Sequence, residues 1–116
     1  MTTPSESGAE RRRHARRAAA LPVRIGTMAL RTSNLSAGGV QLVCPSIRLA
    51  SLRRAFADEP VDLAIALPEG EVVLAARLRY INEHGDGDFL VGIEFATPQA
   101  PDATAAIARY VEGPSG

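Results

Sequence analysis

The feature that constrains this chain most is a period-two alternation of apolar and polar residues, interrupted at short intervals by glycine, proline and asparagine. Successive side chains of a β-strand point to opposite faces, so this alternation predicts strands with one buried face. Six segments show it. Their apolar faces are Leu21, Val23 and Ile25; Met28, Leu30 and Thr32; Val40, Leu42 and Cys44; Val61, Leu63, Ile65 and Leu67; Val72, Leu74, Ala76, Leu78 and Tyr80; and Phe89, Val91, Ile93 and Phe95.

The connections between these segments are short and carry turn residues. Gly26-Thr27 is typical of a tight hairpin, and Asn34 to Gly39 reads as a turn rich in Asn, Ser and Gly. Both connections predict antiparallel neighbours. Six such strands in an open sheet would leave bare edges, so the pattern favours an all-β, six-stranded antiparallel barrel.

Two further segments have helical rather than alternating spacing. Ile107, Tyr110 and Val111 form an apolar stripe after Asp102, a residue that could cap a helix, and we expect this C-terminal α-helix to cover an open end of the barrel. Between residues 46 and 60 the pattern is weak. A short helix and an irregular loop both remain possible for 46–56.

The length of 116 residues predicts one domain. We expect a disordered tail over 1–10, a single domain over 11–112 and a C-terminal tail over 113–116. The chain has one cysteine and so cannot form an internal disulfide, and it lacks the apolar run of about 20 residues that a membrane-spanning helix requires. These features favour a soluble cytoplasmic protein, with no membrane insertion.

The net charge is zero, but the positive charge is unevenly placed. All 13 cationic residues are arginines, and five of them lie between Arg11 and Arg17. A guanidinium pairs bidentately with phosphate or a purine edge and stacks on flat rings, so the cluster suits a planar anionic ligand. Taken alone, such a run is more often a solvated or nonspecific polyanion-binding surface.

Two motifs are not needed to build a sheet. The first is Arg12-x-x-x-Arg16, and the second is Asn34-x-Ser36-x-x-Gly39, which in isolation would describe an ordinary turn. Taken together, with 17 residues between Arg16 and Asn34 and a final strand that reads Val-Gly-Ile-Glu-Phe, they resemble the PilZ domain, the bacterial receptor for cyclic di-GMP. The resemblance covers about residues 10 to 112.

The resemblance implies a PilZ-type barrel with a flexible basic N-terminal arm, and a ligand site that joins the two motifs. Arg12 and Arg16 would grip phosphates or guanines, while Asn34 and Ser36 would form hydrogen bonds. Gly39, helped by Gly38, would let the ligand approach the backbone. The implied cyclic di-GMP site consists of Arg11, Arg12, Arg13, Arg16, Asn34, Ser36, Gly38 and Gly39.

We expect a binding protein rather than an enzyme, because the sequence has no nucleophile elbow, phosphate-binding glycine loop or metal-ligand set. No cofactor or metal is expected. Residues 11–17 have no apolar alternation that could dock them, so the arm is expected to be loose until the ligand orders it. That change would be sensed by an unidentified effector protein.

Two alternatives stay open. The first is a PilZ-like protein adaptor that does not bind nucleotide. The second is a small barrel that binds nucleic acid, which is disfavoured because Tyr80, Phe89 and Phe95 lie on core-facing alternations and offer no stacking platform. Arg77 and Arg79 face away from the core. A position near the ligand stays open for them, and a plain solvent face is favoured.

Overall fold

The computed structural model describes residues 16–85, 87–96 and 99–112. The described part contains seven strands and two helices. The strands are β1 Arg16–Ala18, β2 Pro22–Ile25, β3 Met28–Ser36, β4 Gly39–Pro45, β5 Val61–Leu67, β6 Gly70–His84 and β7 Asp88–Phe95. The helices are α1 Ser46–Ala55 and α2 Pro101–Glu112.

Six of the strands close into an antiparallel barrel. The order is β3-β2-β5-β6-β7-β4, and β4 pairs back onto β3. These six strands are the ones that the alternation predicts, so the fold class is confirmed. Their predicted inner faces, apart from Tyr80, pack in or against the core, in which Leu42, Leu63 and Ile65 are fully buried.

Strand β1 lies outside the six predicted strands. It pairs with the far end of β3, with Arg16 opposite Ser36 and Ala18 opposite Asn34, whereas β2 pairs with the near end of the same strand. The buried Thr32 spans the break between β1 and β2, because its hydroxyl donates to the Ala19 carbonyl and accepts from the Leu21 amide at 2.9 Å.

Two strands carry a register shift. One lies between Thr32 and Asn34 on β3, and the other lies between Leu78 and Tyr80 on β6. Side chains along a strand alternate between its two faces, so one extra residue moves each following side chain to the opposite face from the one the alternation predicts. Leu35 is therefore fully buried, while Tyr80 is 42% exposed. The prediction that Tyr80 faces the core is wrong for this reason.

The two helices pack on the barrel by narrow apolar stripes. Helix α2 buries Ala103, Ala106, Ile107 and Val111 and contacts β1, β3 and β6. It begins at Pro101, a favoured first position, so Asp102 lies inside the first turn rather than at the cap. Of the two alternatives left open for residues 46–56, the structure shows the helix, α1, which buries Leu52. Within the described ranges, no helix is long and apolar enough to cross a membrane.

Candidate functional site

A groove of about 330 Å³ opens on the outside of the barrel, where β1, the β3–β4 turn, β6 and β7 meet. Four of the residues that the motifs predicted line it: Arg16, Ser36, Gly38 and Gly39. The opposite side is formed by β6 and β7, with Arg79, Tyr80, Gly92 and Glu94. The groove is therefore the place where the two sequence motifs come together.

Arg16 and Asn34 join the two motifs directly. The antiparallel pairing of β1 with β3 places them on adjacent strands, and the Arg16 guanidinium donates to Asn34 Oδ1 at 3.0 Å. Asn34 is a neutral acceptor, so this contact orients the guanidinium without neutralising its charge. Arg11, Arg12 and Arg13 lie outside the described residues.

Arg17 faces away from Arg16, as neighbours on a strand do. Its guanidinium carbon lies 4.2 Å from the ring centroid of Tyr110 on α2, and its Nη1 donates to the Tyr110 carbonyl at 2.7 Å. The expectation of an undocked arm through residue 17 is therefore wrong for Arg16 and Arg17. Backbone pairing with β3 and stacking on α2 hold these two residues, and neither interaction requires apolar alternation.

The second motif lies mostly on strand β3 rather than in a six-residue turn. Asn34 and Ser36 belong to β3, and the turn itself is Ala37-Gly38. Ser36 is 6% exposed, and its hydroxyl donates to the Gly39 carbonyl at 3.2 Å, which closes the hairpin. Ser36 therefore has a role in the fold as well as a place at the groove.

The two glycines of the motif differ in their surroundings. A Cβ on Gly39 would collide with the carbonyl oxygen of Ile93 on β7, so strand packing by itself requires glycine there. A Cβ on Gly38 would meet nothing within 4 Å, and the φ angle of Gly38 lies outside the left-handed region. The described fold gives no reason for glycine at position 38.

Sequence reasoning missed the contribution of β4, β6 and β7 to the groove. Gln41 and Tyr80 are joined by a hydrogen bond of 2.8 Å from Gln41 Nε2 to the Tyr80 hydroxyl. Of the two interpretations open for Arg79, the favoured one was a plain solvent face; Arg79 instead lines the groove and lies 3.3 Å from the carboxylate of Glu94. A signal was present in the sequence, because Leu35 and Ile81 are out of phase with the alternation before them and so mark the two bulges.

A second cavity, of about 420 Å³, lies between α2 and the β5–β6 turn. Arg17 and Tyr110 line one side of it, and an exposed ion pair of Arg109 with Glu69 at 3.0 Å lines another. Hydrogen bonding to Arg109 lowers the pKa of Glu69, and the same bond raises the pKa of Arg109. None of the predicted ligand residues that the structure describes lines this cavity.

The side chains that most often bind metals or act as nucleophiles are scattered in the described part of the chain, or buried in its core. Across residues 16–85, 87–96 and 99–112, no three His, Cys, Asp or Glu side chains cluster as metal ligands would. Cys44 is fully buried on β4, and desolvation raises the pKa of its thiol. It packs in the core, as the alternation predicted.

Comparisons of the sequence and of the structure with known proteins point to the same domain family. The family model described as the PilZ domain matches residues 10–113. The inhibitor of motility MotI/DgrA of Bacillus subtilis is 25% identical with a TM-score of 0.66, and the match covers 88% of this chain and 49% of that one. The chain thus spans about half the length of MotI/DgrA. No match was found among curated proteins.

Two similar structures hold a ligand. The PilZ domain of YcgR from Escherichia coli, with c-di-GMP, is 17% identical with a TM-score of 0.61, and the match covers 88% of this chain and 89% of that one. The Borreliella burgdorferi PlzA protein, in complex with c-di-GMP, is 14% identical with a TM-score of 0.52, over 97% of this chain and 48% of that one. At these identities the likeness concerns the fold.

Proposed function

Because the chain belongs to the PilZ domain family, we propose that it binds cyclic di-GMP in the groove between β1, the β3–β4 turn, β6 and β7, and that binding regulates a partner protein. The observation that carries the proposal is the 3.0 Å contact of Arg16 with Asn34, which unites the two motifs at the edge of a groove of about 330 Å³. The c-di-GMP complexes of YcgR and PlzA, which share the fold, support the choice of ligand.

The chemistry of the groove suits this ligand. Cyclic di-GMP carries two phosphodiester charges and two guanines, so a receptor must supply cationic donors and flat surfaces. Arg16 and Arg79 provide guanidinium groups at two sides of the groove, and such forks bind phosphate oxygens or the O6 and N7 atoms of guanine. Arg12, with Arg11 and Arg13, would add further cations from the segment that precedes β1.

The open turn at Gly38 supports a close backbone approach by the ligand. Position 38 is exposed and sterically unrestricted in the described fold, and a bound molecule that approaches the backbone would account for the absence of a side chain there. In this proposal Asn34 supplies a carboxamide hydrogen bond to the ligand, and Ser36 and Gly39 hold the turn in place.

Regulation would pass through β1. Arg16 faces the groove, while the adjacent Arg17 stacks on Tyr110 of α2. A ligand that draws Arg16 therefore pulls on a three-residue strand that also contacts the C-terminal helix. We propose that the partner recognises the surface formed by β1 and α2, whose shape depends on that strand.

Calorimetric titration of the protein with cyclic di-GMP tests the ligand, with GTP and cyclic GMP as controls. Arg12→Ala and Arg16→Ala should abolish or strongly weaken binding. Arg53→Ala removes an exposed arginine from α1, away from the groove, and should leave binding unchanged. Unaltered binding by Arg16→Ala, or no binding by the wild-type protein, would contradict the proposal.

Nucleic-acid binding merits a direct comparison, because the exposed Tyr80 ring lies in a groove that also contains Arg16 and Arg79. Aromatic rings beside cations can stack single-stranded bases. The positive charge is local, so we expect weak binding of single-stranded DNA or RNA that collapses as salt rises through counterion release. Submicromolar binding that survives 200 mM salt would reverse the ranking of the two functions.

A further inference from the structure

A row of four paired residues crosses the outside of the barrel, and three of the four line the groove. Asn34 on β3 is registered with Gln41 on β4, Gln41 with Gly92 on β7, and Gly92 with Tyr80 on β6. Each pair lies on adjacent strands, so side chains in the row can contact one another. The two bulges create the row, because they turn Asn34 and Tyr80 outward.

Gly92 leaves room in this row for the Tyr80 side chain to lie flat. A Cβ at position 92 would overlap three atoms of the Tyr80 ring, so the ring rests over the glycine backbone. In this position the hydroxyl reaches across β7 to Gln41 on the next strand, where it accepts a hydrogen bond of 2.8 Å from Nε2. Tyr80 remains 42% exposed and lines the groove.

Hydrogen bonds then pass along the row to Arg16. Gln41 Nε2 donates to the Tyr80 hydroxyl, so Gln41 Oε1 faces β3, where it accepts from Asn34 Nδ2 at 3.1 Å and from the Ser33 hydroxyl at 2.7 Å. With its amide nitrogen engaged in this way, Asn34 presents Oδ1 to Arg16. A rotated carboxamide at Gln41 would set two nitrogen donors against each other, which is unfavourable.

We propose that Tyr80 has two roles in ligand binding: its ring stacks a purine base of the ligand, and its hydroxyl, through Gln41, is a positioning group that holds Asn34 and Arg16 in their binding orientation. This inference rests on the proposed function, since the base is that of cyclic di-GMP. The proposal is carried by the exposed Tyr80, which lines the same groove as Arg16 and Arg79 and is joined to Arg16 by hydrogen bonds through Gln41 and Asn34.

Three variants separate the two roles in calorimetric titrations. Tyr80→Leu removes the ring and the hydroxyl and should weaken cyclic di-GMP binding by about 5- to 150-fold, the range for one stacked base. Tyr80→Phe keeps the ring and removes only the hydroxyl, so we expect a smaller loss. Tyr110→Phe is the matched control, because Arg17 uses the ring and the main-chain carbonyl of Tyr110, and it should bind as the wild type does.

The control variant also supplies a direct signal. The chain has two tyrosines and no tryptophan, so Tyr80 is the only strong intrinsic fluorophore in Tyr110→Phe. Stacking of guanine on the ring should quench its emission in proportion to the ligand bound. A purely structural role for Tyr80 would leave the emission unchanged, and this measurement remains decisive if Tyr80→Leu fails to fold.

The outcomes distinguish the two proposals. The stacking role would be overturned if the wild type binds cyclic di-GMP, Tyr80→Phe and Tyr80→Leu lose equal amounts of affinity, and the ligand does not quench the Tyr80 emission. Unchanged binding by Tyr80→Phe would overturn the positioning role. No binding by the wild type would overturn the proposed function itself, and this inference with it.

Discussion

Gly39→Ala should destabilise the domain in the absence of any ligand. The new methyl group would collide with the carbonyl oxygen of Ile93 and lie 3.4 Å from the Cα of Glu94. Both are backbone atoms that cannot rotate away, so β4 and β7 would have to separate at one end of a pairing that extends from Gly39 to Pro45. Overpacking of this kind costs about 1–3 kcal/mol, which lowers the unfolding midpoint by about 4–12 °C in a domain of this size.

Gly38→Ala is the matched control one residue earlier. Its Cβ would enter open space, and its φ angle lies outside the left-handed region that disfavours alanine. We expect an unfolding midpoint unchanged or raised by up to about 4 °C, because alanine restricts the unfolded chain more than glycine does. Thermal unfolding followed by circular dichroism, with a urea titration as a second probe, gives both comparisons.

Titration with cyclic di-GMP completes the pair. Gly38→Ala should fold normally and bind less tightly, because the methyl group occupies the space that the proposed ligand would take. If Gly39→Ala proves as stable as the wild type, the packing reason for that glycine is refuted. Equal destabilisation by both variants would instead place the effect in the turn.

Three further predictions concern the periphery of the barrel. Arg17→Ala should lower stability by about 1 kcal/mol, seen as a midpoint lower by about 4 °C, because it removes the stacking on Tyr110 and a 2.7 Å hydrogen bond. Arg109→Ala should raise the pKa of Glu69 towards the ordinary carboxyl value in an NMR titration, because Arg109 lowers that pKa. The ion pair therefore stabilises the fold at pH values above the ordinary pKa of Glu69, and this stabilisation is lost as the pH falls through the lowered pKa. Cys44 should react slowly with a thiol reagent at neutral pH in the native protein and quickly in denaturant, because burial raises its thiol pKa.

The barrel could be predicted from the sequence because its strands bury one face each. Hydrophobic alternation reports burial directly, and the six strands that it marks are the six that close the barrel. Strand β1 could not be found in this way. Its residues are exposed or half-buried, and it forms because β2 pairs with only the first part of the nine-residue β3 and leaves backbone groups near Asn34 unpaired.

The motif half of the groove could be predicted and the other half could not. Arg16 and Asn34 were expected to act together, and they are in contact. Tyr80 was assigned to the core, because period-two counting assumes an unbroken register. A single extra residue on β6 reverses its facing. The out-of-phase Ile81 was the available signal, as Leu35 was for the bulge on β3.

The motif residues differ in how strongly each one points to a ligand. Ser36 closes its own hairpin, and Gly39 makes room for the Ile93 carbonyl, so the free domain needs both whether or not anything binds. Gly38 and Arg16 have no such internal requirement: position 38 would accept a side chain, and Arg16 is exposed, with a neutral partner. An exposed cation beside a glycine that packing does not explain is the combination that a bound anion would account for, so these two positions are the ones at which substitution tests binding rather than folding.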